Sequence, residues 1–185
     1  HQAGIENVVA SSGTSLTTDQ IRLIRRFTNN ITILYDGDQA GINASLRGTD
    51  MILEEGMNVR VLLLPEGDDP DSFVRKNRTS EVEAFISENA TDFISFKTKL
   101  LIRQSGDDPL KKAGLIKEIV QTISLIPEPI YRSVYIKECS RLLEVEEQLL
   151  LNELNKLLRQ KFKKQTGEQY LPDTPAPSPE QPRIE

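Results

Sequence analysis

The sequence predicts an α/β fold in its first part, with a parallel sheet and flanking helices, then an all-α bundle and a disordered, Pro-rich tail. Three observations carry this. Short apolar, β-branched runs alternate with helix-period segments as far as residue 65. From 80 to 164 only the helical period remains. Beyond 165 aliphatic side chains nearly vanish and prolines gather.

"NVVA" (7–10), bounded by "SSGTS", predicts a strand running into a loop. "LTTDQIRLIRRF" (16–27) predicts a helix with Thr17 or Thr18 as N-cap and Ile21, Ile24 and Phe27 turned inward. "ITILY" (31–35) is apolar enough to be a strand covered on both faces. "AGINASLRGTDMILEEG" predicts a second helix with Ala40, Ala44, Met51 and Ile52 on its inner side and Gly56 as its stop. "VRVLLLP" (59–65) is the third strand. The order β-α-β-α-β implies parallel strands joined by right-handed crossovers.

After "DDPDSFVRKN" no further strand is expected. "SEVEAFISENA" offers Ser80 and Glu83 as a capping box, and "TDFISFKTKLLIRQ" is a further helix. "DPLKKAGLIKEIVQTISLI" sets Leu115, Ile119, Ile123 and Ile126 on one helical stripe. "PEPIYRSVYIKECSRLL" carries Ile130, Val134, Tyr135, Cys139 and Leu142 as its apolar positions. "VEEQLLLNELNKLLRQKFKK" begins acidic and ends basic, in keeping with the helix dipole. The expected division is 1–79, 80–164 and a linker over 165–185 that contains Pro172, Pro175, Pro177, Pro179 and Pro182.

Bulk properties narrow the function classes. A net charge of -5 gives no broad attraction to nucleic acid or anionic lipid. Cys139 stands alone, so a disulfide within the chain or a cysteine-rich zinc cluster is excluded, and a reducing cytoplasm suits it. No apolar stretch approaches a membrane span of ~20 residues.

The chemistry concentrates in "YDGDQAG". Asp36 and Asp38 flank Gly37 directly after the second strand. At the carboxyl end of a parallel strand, such carboxylates open into the crevice where α/β folds bind ligands. Their mutual repulsion is relieved by a divalent cation, and magnesium uses one or two carboxylates while keeping several waters. The competing reading makes one of them a helix cap. A calcium loop is excluded, because Arg47 occupies the position that needs a bidentate glutamate. A second acidic group, Asp68, Asp69 and Asp71 in "LPEGDDPDSF", follows the next strand and would share the same edge of the sheet.

"HQAGIENVVASSGTSLT", "YDGDQAG" and "LPEGDDPDSFVRK", in this order and spacing, resemble the TOPRIM region of bacterial DnaG-type DNA primases. The resemblance runs from His1 to about Lys76, and the helical region to 164 looks like the bundle that ends that family's polymerase core. It implies a partial TOPRIM sheet and RNA primer synthesis from nucleoside triphosphates on a single-stranded DNA template. It also implies Asp36 and Asp38 as catalytic metal ligands, with Asp69 and Asp71 extending the metal-binding cluster. Mg2+ is the implied cofactor, with Mn2+ as a substitute. Gly13 and Thr14, in the loop after the first strand, would lie near the substrate.

The chain also departs from that family. The glutamate-bearing strand that precedes "HQAG" is absent, as are the N-terminal zinc-binding domain, where any zinc is expected, and the basic part of the core. The replicative helicase is expected to dock through a domain absent from this chain, and the chain alone is expected to make no primers. Two other classes stay open: another TOPRIM protein, such as a topoisomerase subunit or nuclease, and a non-catalytic docking module. His1 reads as native sequence and Cys139 as a core residue. "RLIRR", "RKNR" and "RQKFKK" are either solvated cations or contacts to a phosphate backbone.

Overall fold

The structure is a computed structural model that describes residues 1, 3–10, 16–38, 41, 42, 46, 48–106 and 108–166, with side chains to Lys164. Its elements are α1 (Thr18–Arg25), β1 (Asn30–Tyr35), α2 (Asp50–Glu54), β2 (Asn58–Leu63), α3 (Pro70–Lys76), α4 (Thr79–Asn89), β3 (Thr91–Asp92), α5 (Phe93–Ser105), α6 (Pro109–Ile123), α7 (Pro129–Leu143) and α8 (Glu147–Thr166).

The sheet order is β1-β2-β3. β1 and β2 pair in parallel from Asn30 opposite Asn58 to Tyr35 opposite Leu63. β3 is antiparallel to β2, with Arg60 opposite Asp92. It was not expected, since its two residues are too few to show a period. The first expected strand does not form: residues 7–10 join no ladder, and Val8 and Val9 are 46% and 72% exposed. A four-residue run makes a strand only when a neighbour completes its hydrogen bonds, and among the described residues no strand pairs with it.

β2 buries Val59 and Val61 on one face and Leu62 on the other, while Asn58 and Arg60 stay exposed. Val59 and Val61 join a large core with Ile21, Ile52 and Leu53 and with bundle residues such as Phe93, Ile119, Ile123, Ile136 and Leu150. Leu62 and Leu64 face the other way, onto Phe73 of α3 and Val82 of α4. The bundle therefore packs directly on one face of the sheet, and α3 with α4 covers the second.

Thr17 caps α1: its hydroxyl accepts from the Gln20 amide at 3.3 Å, and Gln20 returns a bond to the Thr17 amide at 2.9 Å. Phe27 is 84% exposed, because α1 ends at Arg25 and the following turn swings it off the inner face. The second helix is interrupted: Gly41, Ile42 and Leu46 are helical, a bend follows at Gly48 and Thr49, and α2 restarts at Asp50. Ile52 is buried but Met51 is exposed, while Ala40 and Ala44 lie outside the described residues. Gly56 ends α2 with φ +74°, a left-handed conformation that suits glycine.

The box that starts α4 sits two residues before the expected one: the Arg78 amide donates to Glu81 at 2.7 Å. Asp92 and Asp108 cap α5 and α6. The expected stripe of α6 is buried as read, including Ile126 just beyond the helix. On α7 the phase differs. Ile136, Cys139 and Leu143 are buried, whereas Ile130 and Val134 are exposed. α8 continues through Thr166, and most of the expected linker (167–185) lies outside the described residues. Among the described residues no helix is long and apolar enough to cross a membrane.

Candidate functional site

Parallel pairing puts the carboxyl ends of β1 and β2 on one edge, so the turn after Tyr35 and the turn after Leu64 emerge side by side. Their backbones are in contact. The Leu64 amide donates to the Tyr35 carbonyl at 3.0 Å, and the Gly37 amide reaches the Asp68 carbonyl at 3.5 Å. A Cβ on Gly37 would stand 2.2 Å from the Leu64 carbonyl oxygen. Only glycine lets the two turns approach this closely.

Within that frame each aspartate has its own setting. Asp36 and Asp38 are exposed. Asp38 accepts a bond from the Gly41 amide at 2.7 Å, so it caps the helical stretch that begins there. Asp69 caps α3: it accepts from the Ser72 amide at 2.7 Å, and the Ser72 hydroxyl accepts from the Asp69 amide at 3.0 Å. That amide bond holds the Asp69 carboxyl below its ordinary range. Asp68 accepts from the Lys76 ammonium and the Ser72 hydroxyl, and the Lys76 bond lowers its pKa. Asp71 pairs with Arg75 one helical turn later at 3.1 Å.

The edge thus gathers five carboxylates (Asp36, Asp38, Asp68, Asp69 and Asp71) on two touching turns. Asp38 and Asp69 both serve as caps, and capping leaves a carboxylate's charge in place. Among the described residues no three acidic, histidine or cysteine side chains converge in an arrangement ready to hold a metal ion. The donor chemistry nevertheless fits a hard divalent cation, which takes oxygen ligands and is often bound through one or two carboxylates with its remaining positions hydrated. Gly13 and Thr14 lie outside the described residues.

Several partners escaped sequence reading. Ser72 and Lys76, which organise Asp69 and Asp68, look like ordinary residues of an exposed helix. Their spacing of three and eight from those aspartates was the available signal. Of the basic segments, Arg22 and Arg25 pair with Glu55, and Arg75 and Lys76 pair with the acidic turn itself.

A mixed sheet whose parallel pair, β1 and β2, carries paired acidic turns at its carboxyl edge, backed by a helical bundle, defines a TOPRIM-type α/β protein. Residues 1–74 match the family described as Toprim-like, and residues 96–148 match the one described as DnaB-helicase binding domain of primase. A DNA primase of Clostridium acetobutylicum is 41% identical over 155 residues, covering 81% of this chain and 25% of the relative. A DNA primase domain from Pseudomonas aeruginosa matches with a TM-score of 0.73 at 28% identity, over 83% of this chain and 49% of that one. The DnaG primase catalytic domain bound to ssDNA matches with a TM-score of 0.68 at 34% identity, over 76% and 46%. The chain belongs to the bacterial DnaG-type DNA primase family. It spans about a quarter of the length of the curated relative it matches. The helicase-binding match lies inside the bundle, from α5 through α7.

Proposed function

We propose that this chain supplies the metal-holding edge and the helical bundle of a primase, a cytoplasmic polymerase that joins nucleoside triphosphates into short RNA primers on single-stranded DNA. The observation that carries this reading is the backbone contact between the two acidic turns, Gly37 against Leu64 and Asp68. Neither turn alone would distinguish a metal site from a pair of helix caps.

Asp36 and Asp38 would hold Mg2+, with Mn2+ as a substitute, and Asp69 and Asp71 would extend the acidic edge toward a second ion or its hydration shell. When bound, the cation neutralises phosphate charge and stabilises the oxygens at the reacting phosphorus. The chain's own part is positioning. Gly37 and Gly41 fix the turn, the Gly41 amide orients the Asp38 carboxylate, and Ser72 orients Asp69. Lys76 and Arg75 offset the repulsion within the second turn without removing its carboxylates from the edge. The bundle, through 96–148, would dock the replicative helicase, a reading supported by the family match there.

Primer synthesis by the longer polypeptide that carries this segment tests the reading. Asp36→Asn should lower it by on the order of 100-fold while template binding persists. Activity within about twofold of the wild type would overturn the assignment. For docking, a helicase pull-down with and without 90–164 should lose capture when the bundle is removed.

A further inference from the structure

A second charged cluster lies where the sheet half meets the bundle. Lys97 of α5 is only 5% exposed. Its ammonium donates to the Thr122 hydroxyl at 2.9 Å and pairs with Glu118 at 3.1 Å, both on α6. A buried ammonium needs its charge answered and has three donors to place. The other carboxylate at hand is Asp50, the first residue of α2. Asp50, Lys97, Glu118 and Thr122 line one cavity of about 310 Å³. Asp50 Oδ1 is buried and has no hydrogen-bond partner among the described residues. Lys97 is therefore a buried cation that is paired with Glu118 and faces Asp50 across the same cavity, two carboxylates that belong to different halves of the molecule; Lys161 of α8 also acts on Asp50.

The start of α2 is also tied to the acidic turn. Thr49, fully buried, is hydrogen-bonded through its side chain to the Tyr35 hydroxyl. Tyr35 ends β1 and directly precedes Asp36. Its carbonyl accepts from Leu64, and the Thr49 carbonyl accepts from Ile52 and Leu53.

We propose that Lys97 is a positioning residue for the acidic turn: by answering Asp50 and Glu118 together it clamps the start of α2 to the bundle, and Thr49 with Tyr35 carries that constraint to Asp36. Without Lys97, Asp50 and Glu118 face one cavity as like charges with only Lys161 of α8 left to offset Asp50, and the partner that yields is the short α2, not the long α6. The functional consequence rests on the reading of Asp36 and Asp38 as metal holders; the mechanical link does not.

Amide exchange on the chain, followed residue by residue without metal, is the primary test. Lys97→Met should speed exchange of the Ile52, Leu53 and Leu64 amides by about fivefold relative to the Ser124 and Ile126 amides of the bundle. Adding Asp50→Asn should reverse most of that change, because it removes the facing charge from across the junction. Faster exchange confined to α5 and α6, or rescue by Glu118→Gln and not by Asp50→Asn, would overturn the proposal by showing that Lys97 serves the bundle alone. If Lys97→Met does not fold, recovery of a folded chain by Asp50→Asn supports the clamp and failure to recover it refutes it. Mn2+ titration of the same variants reads the consequence: affinity should fall about fivefold in Lys97→Met and return in the double variant. If the wild type binds no Mn2+, the metal reading fails while the exchange result still decides the clamp.

Discussion

Gly41 lies against the backbone of Asp36 so closely that a Cβ on it would stand 2.1 Å from the Asp36 carbonyl oxygen. The chain folds back over its own acidic turn, and that fold-back brings the Gly41 amide to the Asp38 carboxylate. Gly41→Ala should therefore destabilise the chain by about 1–3 kcal/mol, the usual range for forcing extra volume into a packed site. Gly37→Ala, which meets the Leu64 and Pro65 carbonyls, should cost a similar amount. Urea unfolding of both variants measures this; a change below experimental error would mean that the turns tolerate separation.

The caps and the proposed metal role make different demands on the same aspartates. Asp38→Ala removes a cap and should cost about 0.5–2 kcal/mol of stability, whereas Asp36→Ala should cost little. Asp69 carries a pH signature. Its folded-state pKa is lowered, so its stabilisation is present above the ordinary carboxylate value and is lost as pH falls through the lower folded value. The gap in thermal midpoint between wild type and Asp69→Asn should be visible at pH 6 and close in strong acid.

Asp50 has the opposite sign. Burial is the largest influence on it and raises its pKa; Lys97 on α5 and Lys161 on α8 pull it down, and Glu118 on α6 pushes it up. A raised folded pKa means that stability is fullest below the unfolded value and is lost as pH rises through the folded one. Asp50→Asn should remove that loss, so its thermal midpoint should exceed that of the wild type at neutral pH and match it in acid. Thermal melts across that range check the sign.

The phase of α7 can be tested by two isoleucines. Ile136 is fully buried and Ile130 is 75% exposed. Ile136→Ala should cost about 2–5 kcal/mol, and Ile130→Ala should fall within about 0.5 kcal/mol of the wild type. Reversed costs would place the helix in the register expected from sequence alone.

That register shows what the residues disclose and what they do not. β1 and β2 were legible because short, mostly apolar runs rich in Ile and Val between turn residues admit few other readings, and the α6 stripe because its apolar residues keep one phase for three turns. On α7, Ile130, Tyr131, Val134, Tyr135 and Ile136 spread around the helix, so only the neighbours it packs against select the buried face. "NVVA" read as a strand because composition cannot report a missing partner. Asp38 and Asp69 were legible as acids beside a strand end, yet their capping bonds depend on where each helix begins. Lys97 was illegible: a lysine in "FKTKLLIRQ" reads as solvated, and its burial follows only from where Glu118, Thr122 and Asp50 lie in space.

The central claim is that the carboxylates at the edge of the sheet hold a divalent cation. Electron paramagnetic resonance titration with Mn2+ tests it most directly, comparing the chain with its Asp36→Asn variant, whose fold is verified by circular dichroism. The wild-type chain should bind Mn2+, and Asp36→Asn should lose that binding with an unchanged spectrum of secondary structure. Equal Mn2+ binding by the two proteins, or none by either, would contradict it.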